Sequence, residues 1–368
     1  FLMNISLLIL NQIFFFYRYY FQKSNIYRLA KFKSSDYFNI NLYKKSFVNI
    51  SNYLNIKYGS FNEENKNISS KKVIKIDIKE LSKNFLFNWL SKHLSDKFII
   101  QLDTQNPDYL LYNCYHDHDI DPKYNNTIKI AIYTENIMVD INHADYIIGN
   151  YHINYLDRYF KYSIFLWQNF SDINKIREEV LNHPIRNKFC AAVISNCFKV
   201  YGFRLKFIEL LSKYKKVDMG GKCNNNINRT VNRTAKYKID FLSNYKFSFA
   251  MENSDGDGYI SEKIVDSFRA GTIPIYYGDY MIDEFINPKT YILIKGEKDI
   301  EKKIDLIKKI DNDDGLYRYI MKEKPIIDDK FINKIELNET KSFLQNIFIQ
   351  QKNKAYRRDD YYYNCSGK

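Results

Sequence analysis

From Lys72 onward, short runs dense in β-branched and aromatic residues recur along the chain: KVIKIDI (72–78), FIIQL (98–102), DYLLYN (108–113), IKIAIY (128–133) and DYIIGN (145–150). Between the first two, KELSKNFLFNWLSKHL (79–94) reads as a helix. Near-continuous apolar runs separated by amphipathic helices predict a parallel sheet in an α/β layer. After a polar stretch at 169–188 a second series begins: FCAAVIS (189–195), FRLKFIELLSKY (203–214), KVDMGG (216–221), YKFSFAM (245–251), SEKIVDSFRAG (261–271), TIPIYYG (272–278) and TYILI (290–294). In its first helix Phe203, Phe207, Leu210 and Leu211 recur at helical spacing, which predicts one buried face. No fixed period is visible along the chain, so a solenoid or propeller is not expected. The expected fold class is α/β, with two Rossmann-like lobes and a cleft between them. The boundaries expected are an apolar segment and polar lead-in over 1–70, a first lobe over 71–170, a second over 185–345 and a polar tail over 346–368. Open parallel sheets bind ligands at the carboxyl ends of their strands, so the loops that follow the strands hold the candidate chemistry.

In the second series one such loop stands out. The stretch YKFSFAMENSDGDGYISEKIVDSFRAGTIPIYYG (245–278) predicts a buried strand, a polar loop, a helix that buries Ile264, Val265 and Phe268 and ends near Gly271, and a further strand. Gly256 and Gly258 permit positive φ or close backbone approach, and Ser261 suits the helix N-cap. Free N–H groups and the positive dipole end of a helix favour a phosphate, and Lys263 adds a full charge there. Glu262 would be repelled by phosphate and is suited to accept from hydroxyls. A carboxylate for a ribose beside a cation for a diphosphate points to a nucleotide-linked ligand. Spacing alone leaves an ordinary turn open, because the loop matches neither GxGxxG nor GxxxxGK[ST].

Composition narrows the picture only a little. Of 368 residues 45% are hydrophobic and 17% aromatic, which excludes a disordered chain. A formal net charge of +13 favours phosphate-bearing small molecules, nucleic acid or anionic membrane surfaces without choosing among them. The clusters Lys213, Lys215, Lys216 and Lys302, Lys303, Lys308, Lys309 read as solvated helix faces, and no basic block interleaved with aromatics is present, so no nucleic-acid partner is expected. Cys114, Cys190, Cys197, Cys223 and Cys365 are odd in number and lack a CxxC spacing, which implies neither a zinc site nor a disulfide framework. Asn-x-Ser/Thr triplets at Asn49, Asn67, Asn125, Asn169, Asn228, Asn232 and Asn338 arise readily in an Asn-rich chain and matter only in a secretory compartment.

The opening FLMNISLLILNQIFFFYRYYF is interrupted by Asn4, Asn11 and Gln12, and Arg18 arrives before the ~20 apolar residues that a spanning helix needs. It is a marginal membrane segment, with an interfacial or packed helix as the other reading. If it inserts, Arg18, Lys23, Arg28 and Lys31 on its C-terminal flank favour a cytoplasmic or membrane-associated placement, with a Golgi-type membrane as the alternative.

The segment FAMENSDGDGYISEKIVDSFRAGTIPIYYGD closely resembles the donor-binding motif of the α1,3-fucosyltransferase family. Three further segments resemble that family in the same order: Pro107 to Leu111, IAIYTEN and VDMGGKCNN. The resemblance implies two lobes of the GT-B type, the first binding the acceptor and the second GDP-fucose. It implies inverting transfer of fucose to a hydroxyl of an acceptor oligosaccharide or glycoprotein, commonly of N-acetylglucosamine in α1,3 linkage. Carried over by residue, Glu262 would bind the ribose, Lys263 and Arg204 would neutralise the diphosphate, and Asn253 and Tyr259 would line the donor site. Glu135, in YTENIM, would be the general base, although the glycine that the family has before this glutamate is missing here. Glu252 is the second choice for the base.

Fixed cations aimed at the departing diphosphate suffice for the chemistry, so no metal or other cofactor is expected to be required; a divalent ion would at most stimulate. Asp255 and Asp257 have a metal-binding spacing but fall inside the resembling loop, and His116 to Asp119 (HDHD) suits acceptor contact better than an ion. His143 and His152 show no partners in the sequence and read as structural. The competing expectations are the same fold using another sugar nucleotide, and a non-catalytic basic protein that binds glycan or nucleic acid.

Overall fold

The computed structural model describes residues 71–357, apart from 114, 116–119, 138–142, 153–156, 169, 171, 196, 198–201, 233, 254–257 and 327–333. The expected membrane segment in residues 1–21, the HDHD run, and Gly256 with Asp255 and Asp257 therefore lie outside the described residues. Among those described, no helix is long and apolar enough to cross a membrane. The chain divides into two compact units, the first holding described residues 71–147, 157–159 and 346–357, the second 148–152 and 160–345.

The first sheet has the order β2-β1-β3-β4-β5-β6. Its strands are β1 (Lys72–Lys79), β2 (Phe98–Leu102), β3 (Tyr109–Asn113), β4 (Ile128–Ile132), β5 (Tyr146–Gly149) and β6 (Tyr159–Lys161). β1 runs parallel to both β2 and β3, pairing Val73 with Ile99 and Ile76 with Tyr109, and β3 runs parallel to β4. Between β1 and β2, helix α1 (Lys83–Leu94) starts at Ser82, whose side chain accepts from Phe85 N. It buries Leu86, Trp89, Leu90, His93 and Leu94, the i, i+3, i+4, i+7, i+8 stripe of a helix covering a sheet. The segment 346–357 packs in this first unit. Phe348 sets its ring against Phe98 and Tyr109, its carbonyl accepts from Lys72 Nζ at 2.7 Å, and Arg357 N donates to the buried Asp145 at 2.7 Å.

The second sheet, order β11-β10-β9-β7-β8, is parallel throughout. Its strands are β7 (Lys188–Ala192), β8 (Val217–Met219), β9 (Tyr245–Met251), β10 (Ile273–Tyr277) and β11 (Ile292–Leu293). All seven residues of the central β9 are buried, as a strand covered on both faces requires. Around this sheet stand α2 (Ile173–Leu181), α3 (Gly202–Ser212), α4 (Ala235–Leu242), α5 (Glu262–Arg269), α6 (Ile300–Asn312) and α7 (Asp314–Lys322). α3 buries Phe207, Ile208 and Leu211, whereas Phe203 and Leu210 are half-buried. α5 buries Ile264, Val265 and Phe268 as its spacing predicts.

Two features depart from the sequence reading. The polar stretch 169–188 carries α2, which buries Ile173 and Arg177. Arg177 donates from Nε to Met321 O and from Nη2 to Ile320 O, satisfying carbonyls at the end of α7, and burial lowers its pKa to about 10. Helix polarity hid a helix whose buried cation serves another helix. Second, Cys197 and Cys223 form a disulfide 26 residues apart in sequence, which no cysteine spacing announces. The cause is topological: β7 and β8 are neighbours, so the segments that follow them meet, and Cys223 N also donates to Ile194 O at 2.9 Å.

α6 buries Ile300, Ile304, Ile307 and Ile310, and its Asp311 fastens it to the sheet. The Asp311 carboxylate pairs with Lys246 of β9 at 3.0 Å and Lys215 at 2.5 Å, and Tyr214 donates its hydroxyl at 3.0 Å. Burial opposes ionisation of Asp311, but these bonds outweigh it and hold the carboxyl below its ordinary value of 3.8. A carboxyl lowered on folding stabilises the fold above its unfolded pKa, and that stability disappears as pH falls through the folded value. Asp311→Asn should therefore be less stable than the parent at neutral pH by about 1–3 kcal/mol. The difference should shrink below about pH 4, as urea unfolding over an acid pH series will show.

Candidate active site

The polar loop between β9 and α5 is organised by a buried carboxylate. Glu252, fully buried, follows directly on β9, and its backbone N donates to Tyr277 O at 2.7 Å, extending the β9–β10 pairing by one residue. Its side chain accepts from Ser261 N, Ser261 Oγ and Lys263 Nζ, each at 2.8 Å. Ser261 is the N-cap of α5 and receives Lys263 N on its hydroxyl. One end of the loop is thus tied to the other through a charge-assisted network. Glu252, the second choice for the base, belongs to this network, with Ser261 and Lys263 donating to its carboxylate.

Gly258 shows why the sequence needs glycine here. Its φ is +99°, and a Cβ would stand 2.0 Å from Asn150 O. Its carbonyl accepts from Ser163 Oγ at 2.6 Å, and Ile260 O accepts from Phe165 N. Tyr259, between them, is buried, 2% exposed.

Glu262 and Lys263 open α5, their charged ends 4.0 Å apart. The Lys263 side chain is 23% exposed and that of Glu262 37% exposed. Burial opposes ionisation of Glu262, yet Lys263 and then Lys238 outweigh it and hold the carboxyl below its ordinary value. Lys238, on α4, was not singled out by the sequence reading. Its ammonium lies 3.4 Å from Glu262 and 2.5 Å from Asp266, one turn further along α5. Carboxylates at i and i+4 sharing one lysine on the helix before them are a signal that only the α4–α5 packing reveals. Asp266 itself is raised, chiefly by burial, with Lys238 opposing.

Arg204 comes from the first turn of α3, after β7, which is the sheet neighbour of β9. It is 4% exposed, so it is no surface arginine, and its Nη1 donates to Asn253 Oδ1 at 3.1 Å. Adjacent parallel strands end side by side, and the connections that leave them bring Arg204 and Asn253 together. His152 proves to have partners: it stands 3.6 Å from Asp279, just beyond β10, and beside Lys161. Among the described residues no group of three or more acidic, His or Cys side chains is placed to hold a metal.

Glu135 lies in the first unit, in the bend that follows β4. Its carbonyl accepts from Ile137 N at 2.8 Å, and the preceding Thr134 accepts on its hydroxyl from Asn113 Nδ2, at the end of β3. Glu135 thus stands at the carboxyl edge of the first sheet, with its residue partly exposed.

Two parallel α/β sheets with charged and polar side chains in the loops after their strands are the architecture of the GT-B fold. The fold agrees with that of a solved α1,3-fucosyltransferase in complex with GDP: TM-score 0.63 at 22% identity, covering 80% of this chain and 94% of that one. A family model described as glycosyltransferase family 10 (fucosyltransferase), C-terminal part, matches residues 183–357, and one for the N-terminal domain of alpha-(1,3)-fucosyltransferase FucT matches residues 76–168. The chain belongs to glycosyltransferase family 10, the fucosyltransferases. It is 35% identical over 182 residues to R654 of Acanthamoeba polyphaga mimivirus, assigned as a fucosyltransferase, a match over 46% of this chain and 30% of that protein. With the alpha-(1,3)-fucosyltransferase FucT of Helicobacter pylori it shares 26% identity over 234 residues, 55% of this chain and 48% of that protein. The matches therefore span less than half the length of these curated relatives.

Replacing Lys238 by Met removes one of the two cations that lower the Glu262 carboxyl. Its pKa should rise, measured as the pH midpoint of its carboxyl carbon resonance, while Lys238→Arg should keep it low; an unmoved midpoint in the Met variant would show that Lys238 does not act on Glu262.

Proposed function

We propose that the chain transfers fucose from GDP-fucose to a hydroxyl of an acceptor oligosaccharide or glycoprotein, with inversion at the fucose C1 and N-acetylglucosamine, in α1,3 linkage, as the acceptor sugar. The observation that carries this reading is the pairing of Glu262 with Lys263 at the start of α5, fixed by Glu252, Ser261 and Lys238. A carboxylate kept ionised is a good acceptor for ribose hydroxyls. A lysine at a helix N-terminus, joined by Arg204 from the neighbouring connection, is suited to a diphosphate. Asn253 is held by Arg204 and Tyr259 is buried at the end of the loop, so both belong to the donor site in this reading.

Breaking the sugar–phosphate bond leaves negative charge on the GDP diphosphate. Positive groups already in position stabilise that charge as it develops and need no reorganisation, and this is the role given to Arg204 and Lys263. These two cations supply the charge that a divalent ion would otherwise bring, so the reaction is proposed to need no metal. Glu135 is proposed as the general base, removing the proton from the acceptor hydroxyl as its oxygen attacks C1. Its place after a strand of the first sheet supports the assignment, since loops at carboxyl edges carry ligand contacts in folds of this kind.

The test is a transfer assay with GDP-fucose on an array of N-acetylglucosamine-containing glycans, with thermal shifts for GDP-fucose, GDP-mannose and UDP-sugars alongside. Stabilisation by another sugar nucleotide in place of GDP-fucose would overturn the donor. Glu135→Gln should lower kcat by roughly 100-fold or more with donor affinity retained. Loss of donor binding in that variant would remove Glu135 from the role of base. Lys263→Met should weaken GDP-fucose binding by about 10-fold or more, from one lost charge-assisted contact, as calorimetry will measure.

A further inference from the structure

The loop between β8 and α4 holds a feature that the donor chemistry does not use. Residues Asn228-Arg229-Thr230 form an Asn-x-Thr triplet whose three residues are all exposed. Asn228 takes a left-handed φ of 58°, in a loop braced by Asn225, whose Nδ2 donates to Gly221 O and Arg229 O at 2.8 and 2.9 Å. No hydrogen bond holds the Asn228 amide among the described residues. It borders an open polar hollow of about 450 Å³, lined also by Lys216, Asp218, Asn226, Arg229 and Tyr245, which leaves room for a first sugar. Four residues on, Asn232 and Thr234 are exposed as well, and Thr234 N donates to Asn232 Oδ1 at 3.0 Å.

Other triplets of this kind differ in the fold. In Asn125-Asn126-Thr127 the threonine is 4% exposed and its hydroxyl donates to Pro107 O. In Asn338-Glu339-Thr340 the threonine is fully buried and donates to Ile335 O inside a helix. Those at Asn49, Asn67 and Asn169 lie outside the described residues. Chance explains why an Asn-rich chain has such triplets, but the fold sorts them: Asn228 with Thr230, and Asn232 with Thr234 beyond the buried Val231, are exposed, whereas Thr127 and Thr340 are buried.

An independent observation concerns the compartment. The Cys197–Cys223 disulfide closes in this loop, and disulfides persist in oxidising compartments, where Asn-linked glycans are also added.

We propose that Asn228, with Asn232 beside it, is an acceptor for an N-linked oligosaccharide. The reaction uses a lipid-linked oligosaccharyl diphosphate as donor and a host oligosaccharyltransferase as catalyst. The Asn228 amide nitrogen attacks C1 of the first sugar, the N–C1 bond forms, and the C1–O bond breaks with its electron pair leaving on the lipid diphosphate. The amide proton passes to the transferase's base. Nothing in this step depends on the identity of the fucosyl donor or acceptor.

The experiment sends the full chain into the secretory lumen of insect cells behind a host signal peptide, then treats the purified protein with peptide N-glycosidase in heavy-oxygen water. Conversion of Asn228 to labelled Asp is expected, together with a peptide pair joined through Cys197 and Cys223. Thr230→Ala should remove the label at 228, Thr230→Ser should retain it, and Thr234→Ala should act only at 232. Compact protein, as judged by resistance to limited proteolysis, that carries an unmodified Asn228 overturns the proposal. So does modification confined to Asn125 or Asn338, because exposure in the loop would then not select the site.

Discussion

Glu252 is the residue on which the second unit's loop depends. A carboxylate with no exposed surface is costly to bury unless its oxygens are bonded, and here a serine amide, the same serine's hydroxyl and a lysine ammonium meet that need. The same contacts set the start of α5, because Ser261 is its N-cap, and they orient Lys263. Glu252 therefore couples strand, loop, cap and charge in a single network. Removing it would leave a half-buried lysine without its acid and a helix start without its anchor, so its loss would be felt in stability before any chemistry is considered.

A second network lies beside it. Lys238 reaches from α4 to Glu262 and Asp266, while Lys263 faces both Glu252 and Glu262. Acid and base alternate across the first turns of α5, so each charge is steadied by neighbours of opposite sign. Rigid positioning of this kind is what ligand and transition-state recognition ask of a site. It also accounts for the crowding of charge in a region whose backbone is otherwise buried.

Much of the fold was legible in the sequence because parallel strands covered on both faces must be apolar throughout, and YKFSFAM and IKIAI leave no other good reading. Helix α5 was legible too, since Ser261, the Ile264–Val265–Phe268 spacing and Gly271 mark its start, face and end. What escaped were elements stabilised by long-range partners. α2 is polar by composition, and its Arg177 is buried only because α7 offers two carbonyls. The Cys197–Cys223 bond follows from strand order, which spacing does not encode. In the candidate site Arg204, Asn253, Glu262 and Lys263 could be named from a motif. Lys238 could not, because its significance arises only when α4 packs on α5. His152 shows no partner in the sequence because Asp279 lies far along the chain, and Lys161, nine residues on, meets it only through the fold.

The return of residues 346–357 to the first unit bears on how the chain is made. β1 offers Lys72 to the carbonyl of Phe348, and β2 and β3 receive the Phe348 ring, so the first sheet has a component supplied by residues near the other end of the described chain. During synthesis the second sheet's strands emerge before that component does. The earliest strands must therefore wait, partly uncovered, while later ones are already complete. On the ribosome, the part begun first is the part finished last.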